Sequence, residues 1–204
     1  RQIQTYVNER TAELASAIFD AFQSFSADRS GISWVSPLAA DRYSEYRDGE
    51  FLKVVGAGRL APQLRAFWPR GGPCWDALAR LSSGGCILLE AKSHVSEVYG
   101  NGCAASMESV SLIRSSIAQT KAWVGASPNT DWMGRLYQSA NRIAFLYFLR
   151  EIAKVDAYLV NLYFTGDPHS PTTRREWDIA IENVNQELGI STVLGTATVF
   201  LPAS

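Results

Sequence analysis

Trp75-Asp76-Ala77-Leu78-Ala79-Arg80-Leu81-Ser82-Ser83-Gly84-Gly85-Cys86-Ile87-Leu88-Leu89-Glu90-Ala91-Lys92 is the stretch on which the reading of this chain turns. Trp75 to Leu81 form a short strand candidate, and Cys86 to Lys92 are an aliphatic run that turns polar at its end. The Ser82-Ser83-Gly84-Gly85 segment between them predicts a hairpin turn. Successive side chains on a strand point to opposite faces, so Glu90 and Lys92 share a face with Ala91 between them. On the adjacent strand, Asp76 is then able to converge on Glu90.

Two carboxylates and a lysine in this arrangement suit hydrolysis of a phosphodiester. The reaction needs the phosphate charge neutralised and a water made nucleophilic, and a divalent metal held by hard oxygen ligands supplies both. Asp76 and Glu90 are the carboxylate ligands, and the carbonyl of Ala91 is a neutral one. Lys92 would lie beside the metal water, to orient it or to act with a lowered pKa. With four lysines and 20 acids in the chain, an acid two places before a lysine arises about 0.4 times by chance. The tripeptide alone is therefore weak. Its position at the polar end of the most apolar strand, one glycine turn after a strand that carries Asp, is what gives it weight. The competing account is a structural ion pair at a strand end.

Outward from the hairpin, helices and strands alternate. Toward the N-terminus, Ile3, Val7, Leu14, Ile18, Phe22 and Phe25 are spaced as on an amphipathic helix over 2–25, ending in a turn at 26–31. Ser36-Pro37 resembles an N-cap followed by proline, which predicts a second helix over 37–55. A short helix is expected from Pro62 to Trp68, before the breaker cluster Pro69-Arg70-Gly71-Gly72-Pro73. Toward the C-terminus, helices are expected over 105–124 and 132–153, with a central strand over 157–164. A last helix starting at Ser170-Pro171 and stopping at Gly189 precedes a final strand over 192–201. This pattern predicts an α/β class with a mixed central sheet flanked by helices. The expected organisation is an N-terminal helical extension over 1–30 and one compact domain over 31–204.

Composition narrows the function classes. The 204 residues are 47% hydrophobic and 19% charged, with a net charge of −1. They are enough for a substantial single core. No apolar run reaches the roughly 18 residues of a membrane span, so no membrane partner is expected. Two histidines, His94 and His169, exclude a zinc site built mainly from histidine. Cys74, Cys86 and Cys103 are too widely spaced for a CxxC knuckle and read as thiols of a reducing compartment, hence a cytoplasmic protein. Without a global basic field, a nucleic-acid enzyme would have to bind through a local patch. Tyr147-Phe148 and neighbouring aromatics suit a homodimer contact as readily as a core.

Pro73-Cys74-Trp75-Asp76 followed by Glu90-Ala91-Lys92 resembles the signature of the PD-(D/E)XK, or restriction-endonuclease-like, nucleases. Pro73 stands three residues before Asp76 instead of next to it. The resemblance spans about 37 to 165. It implies an α-β-β-β-α-β core and a magnesium-dependent nuclease, with manganese as a substitute and DNA ahead of RNA as substrate. It also implies two accessory residues. Glu45 resembles the acid that the first core helix of the family adds to the metal site, with Asp41 and Asp48 as competitors. Gln119, with Trp123 four residues on, is similar to the Q-x-x-x-Y helix motif of the exonuclease-like branch, and Gln138 is a rival for that role. His94, two residues beyond Lys92, is placed to touch a phosphate. On the sequence alone, the first core strand before Asp76 is not evident.

Two other functions compete. The same fold can serve as a non-catalytic nucleic-acid-binding or protein-interaction module. Gly56-Ala57-Gly58-Arg59-Leu60-Ala61 matches the dinucleotide fingerprint G-x-G-x-x-A. That motif needs a strand before it and a full helix after it. Here the preceding residues read as helix, and Pro69 to Pro73 stop the next helix early, so a helix C-terminus is the better account.

Overall fold

The computed structural model describes residues 2–22 and 31–203. Its strands are Ile32–Ser36 (β1), Ala77–Leu81 (β2), Cys86–Lys92 (β3), Ala157–Thr165 (β4) and Thr196–Pro202 (β5), side by side in that order in one open sheet. β2 runs antiparallel to both β1 and β3, and β4 and β5 then run parallel to β3. Parallel neighbours need long crossovers. Met107–Val124 (α5) and Tyr137–Tyr147 (α6) provide one between β3 and β4, and Arg174–Leu188 (α7) provides the next. The protein is thus α/β with a mixed five-stranded sheet.

The hairpin forms where the sequence places it. Gly84 takes the left-handed conformation (φ +89°) that the β2–β3 turn requires. A side chain at Gly85 would collide with the carbonyl of Asp156, at the entry to β4. Small size there lets the hairpin lie against the parallel half of the sheet.

Helices cover both faces. Gln2–Asn8 (α1) and Thr11–Ala21 (α2) lay Ile3, Tyr6, Leu14 and Ile18 on Ala79, Leu89, Val160 and Leu162. The opposite face, with Leu78, Leu88 and Leu159, is covered by α5–α7 together with Asp48–Val54 (α3) and Ala61–Phe67 (α4). Trp75, Trp132, Trp177 and Phe145 fill that second core.

Several expectations need correction. The single helix read over 2–25 is two, because the chain breaks after Asn8. The Asn8 side chain donates to the carbonyls of Gln4 and Pro37 and accepts from the Ala39 amide, which ties the break to the loop after β1. Phe25 and most of the turn expected over 26–31 lie outside the described residues. The residues read as an N-terminal extension supply, as α1 and α2, the cover for a whole face of the sheet.

The second helix predicted over 37–55 is helical as α3 only, after a short 3₁₀ turn at Ala39–Asp41. Arg42 and Tyr43 take positive φ (51° and 58°), which no α-helix accommodates. Just before that segment lies the strand the sequence hid: Ile32–Ser36 pairs with β2 through Ile32–Leu81 and Trp34–Ala79. The last helix starts at Arg174, not at Ser170-Pro171. A capping box fixes it, with the Glu176 amide donating to Thr173 Oγ1 and the Thr173 amide to the Glu176 carboxylate.

Candidate active site

The β2–β3 register pairs Ala77 with Leu89 and Leu78 with Leu88. Asp76 stands immediately before β2, and extending that register by one step sets it opposite Glu90. β2 begins only at Ala77, so at Ala91 the edge of β3 has lost its backbone neighbour. The Asp76 carboxylate replaces it, accepting from the Ala91 amide at 2.7 Å. The carbonyl of Ala91 projects from the same edge as its amide.

Glu90 is 7% exposed and held on both oxygens. Lys92 Nζ lies 2.7 Å from Oε1, and Arg142 Nη2 and Nε each lie 2.7 Å from Oε2. Arg142 also donates to the carbonyl of Cys74 (3.2 Å) and to Asn141 Oδ1 (2.8 Å), and its guanidinium lies over the Trp75 ring at 5.3 Å. One buried side chain on α6 thus links Glu90 to the Cys74-Trp75 segment that delivers Asp76. Gln138, one helical turn before Arg142, accepts from Lys92 Nζ at 3.1 Å. Burial, and next the Glu90 charge, push the Asp76 carboxyl from 3.8 up to about 7. Its bond from the Ala91 amide and the charge of Lys92 oppose that rise only in part.

The expected residues divide into three groups. Glu90 and Lys92 line one crevice, and Asp76 joins them through the Ala91 amide and the charges of both side chains. Glu45 lies close by, but not on a helix: it sits in the loop before α3, beside the Tyr46–Trp75 bridge, and its Oε2 faces Cys74 Sγ at 3.8 Å. Its charge adds a small upward push to Asp76. Gln119 is exposed on α5 and donates to the carbonyl of Ser115 in its own helix, so Gln138 is the glutamine that reaches the lysine. His94 lies past the end of β3, where its Nδ1 is 3.1 Å from the Ser170 carbonyl and its Nε2 is 4.0 Å from Glu97.

Arg142, Asn161 and Tyr163 went unseen in the sequence. Asn161 and Tyr163 stand beside Glu90 and Lys92 in the β3–β4 register. A signal was present, since Asn161 interrupts the apolar run Ala157–Thr165. Arg142 left a weaker one, as a lone charge ahead of Ile143-Ala144-Phe145-Leu146.

Among the described residues, no group of three or more His, Cys, Asp or Glu is arranged to hold a metal. The donor set still suits magnesium, which is commonly held by one or two carboxylates and completed by water and substrate phosphate. Asp76 has no cation paired with it directly among the described residues, and burial first and the Glu90 charge second raise its pKa. Glu90 Oε1, held by Lys92 alone, and Asp76 Oδ2, held by the Ala91 amide, each keep a second lone pair, whereas Arg142 takes both of Glu90 Oε2. Gly56-Ala57-Gly58 joins the end of α3, through a 3₁₀ turn, to the seven-residue α4, with no strand before it. That is a helix end, not a pyrophosphate cradle. Scans of family models, curated proteins and solved structures found no match to this chain.

Proposed function

We propose that this chain is a magnesium-dependent nuclease of the PD-(D/E)XK kind that hydrolyses phosphodiester bonds in nucleic acid, with DNA as the first substrate class to test. One observation carries the proposal: Glu90 and Lys92 share one face of β3, with Lys92 Nζ 2.7 Å from Glu90, and where β2 has ended the Asp76 carboxylate accepts from the Ala91 amide between them. The element order adds support. A helix, three antiparallel strands, a helical crossover and a parallel strand are what the resemblance implies, with β1 as the strand that the sequence did not disclose. Three free thiols suit a reducing compartment such as the cytoplasm. No helix among the described residues is long and apolar enough to cross a membrane.

Asp76, Glu90 and the carbonyl of Ala91 would hold the cation. When bound, it neutralises the phosphate and lowers the pKa of its water. Lys92 orients the attacking water, and Gln138 holds the lysine side chain in place. Arg142 fixes the Glu90 carboxylate and, through Cys74 and Trp75, its spacing from Asp76.

A second reading has its own observation. Glu90 is clasped by two cations, which is also how a purely structural buried ion cluster looks. On that reading the protein is a non-catalytic binding module. Cleavage of single- and double-stranded DNA and RNA, in magnesium or manganese against chelator, separates the two. Lys92→Ala should lower turnover about 10²–10³-fold with little change in substrate affinity. Glu90→Gln should lose activity and metal binding together. If neither substitution changes any cleavage, the cluster is structural and the nuclease proposal fails.

A further inference from the structure

The polar row of the candidate site does not stop at Glu90. In register, Glu90 stands beside Asn161 on β4, and Asn161 beside Thr198 on β5, all on one face. The rows on either side continue it, with Leu159 beside Thr196 and Tyr163 beside Phe200. Above this floor, α7 does not close down on the sheet. A cavity of about 180 Å³ remains, roofed by Ile181, Val184, Asn185 and Leu188. It shares Ser139, Asn161 and Tyr163 with the crevice lined by Glu90, Lys92 and Arg142, so the two spaces adjoin. Its outer rim is formed by the exposed Ser191 and Thr192.

The chemistry of its wall is specific. The side chains of Ser139, Asn161, Asn185 and Thr198 make no hydrogen bond to any other described residue. Ser139, Asn161 and Asn185 are part-buried and Thr198 is exposed, so all four are open to water or to a ligand that enters. No charged side chain lines the cavity. A phosphate would therefore be held by Lys92 at the adjoining crevice, and the cavity would hold something neutral. Two primary amides and two hydroxyls offer both donors and acceptors, and Leu159, Ile181, Val184 and Leu188 offer apolar surface. A flat ring with a hydrogen-bonding rim matches that combination. The volume equals about six waters of liquid, room for one heterocycle and not for a whole nucleotide.

We infer that the cavity beneath α7 is a nucleobase subsite, which takes one unpaired base of the substrate while the neighbouring phosphodiester lies at Asp76, Glu90 and Lys92. The inference rests on the nuclease reading for its position in a reaction, but not for binding. A base can enter only when it is out of a duplex, so the substrate class is single-stranded nucleic acid or a frayed end.

The test titrates the metal-free full chain with adenosine and with cytidine, and follows the side-chain amide resonances of Asn161 and Asn185 by NMR. Saturable shifts of both amides are expected with at least one nucleoside. Asn185→Leu, on the roof, and Thr198→Val, an isosteric change on the floor, should each weaken binding several-fold without changing the fold. Ribose 5-phosphate should shift neither amide. If neither nucleoside moves these resonances at tens of millimolar, or ribose 5-phosphate moves them equally, the cavity holds water only and the inference is overturned. Metal-dependent cleavage without nucleoside binding would overturn the subsite and leave the nuclease reading standing. Nucleoside binding without metal-dependent cleavage would support the subsite and sink the nuclease reading.

Discussion

The two faces of the sheet have the same strands and opposite characters. Under α1 and α2, the strands contribute apolar side chains: Ile32 and Trp34, Ala77 and Ala79, Ile87 and Leu89, Val160 and Leu162, Ala197 and Val199. On the side of α5–α7 the same strands present Glu90, Lys92, Asn161, Tyr163 and Thr198 beside Leu78, Leu88 and Leu159, with Asp76 just before β2. The first face needs nothing beyond close packing. The second has to satisfy a buried charge cluster, and it does so with Arg142 and Lys92 on Glu90. A face that only stabilised the fold would gain little from such a cluster, since well-packed apolar residues usually do as well or better. The polar face therefore marks where function is to be sought.

That contrast can be broken at four points, from the largest expected effect to the smallest. Arg142→Met should destabilise most, by about 3–5 kcal/mol, because Glu90 stays buried with one partner fewer and the Cys74 carbonyl loses a donor. Chemical denaturation measures this. Adding Glu90→Leu should restore much of the loss, and an additive double variant would show that the two side chains are not coupled.

The carboxyl of Asp76 gives the next effect, visible in its pH dependence. Its folded-state pKa is raised from 3.8 to about 7, so between those values the folded chain keeps a proton that the unfolded chain releases. Its contribution is full below about pH 4 and is lost as pH rises through 7, a change of about 4 kcal/mol. Measured in chelator, Asp76→Asn should therefore be more stable than the parent at pH 8 by an amount that largely disappears at pH 4. An equal gap at both pH values would mean that Asp76 does not titrate in this range.

On the apolar face, Leu162→Ala should cost about 3 kcal/mol by leaving a cavity under α1 and α2, with no dependence on pH between 4 and 8. A pH-dependent loss there would erase the distinction between the faces. Gln119→Ala, far from either core, should change the unfolding free energy by less than about 0.5 kcal/mol. A substantial loss of activity in that variant would return Gln119 to the site and displace Gln138.

The hairpin was legible because both of its signals are local. Alternation along Cys86–Lys92 sets which side chains share a face, and Gly84 with Gly85 sets the turn. Glu90 and Lys92 are two residues apart, so their proximity follows from strand geometry alone. β1 was not legible. Ile32–Ser36 is five residues long and is stabilised by pairing with β2, some 45 positions later, which no local pattern records. Ser36-Pro37 imitated the start of a helix, while Arg42 and Tyr43 take positive φ in the loop that follows.

What the sequence determined by itself was the α/β alternation, the hairpin, and an acid-lysine pair on one face, because each depends on neighbours within a few residues. Tertiary structure alone decided that Arg142 closes on Glu90 from 52 positions away. It also decided that Gln138 and not Gln119 meets Lys92, and that the polar row runs on through Asn161 to Thr198. Helix docking and strand register set those contacts, and both are properties of the folded chain as a whole: a shift of one residue in β4 would have turned Asn161 toward the apolar face.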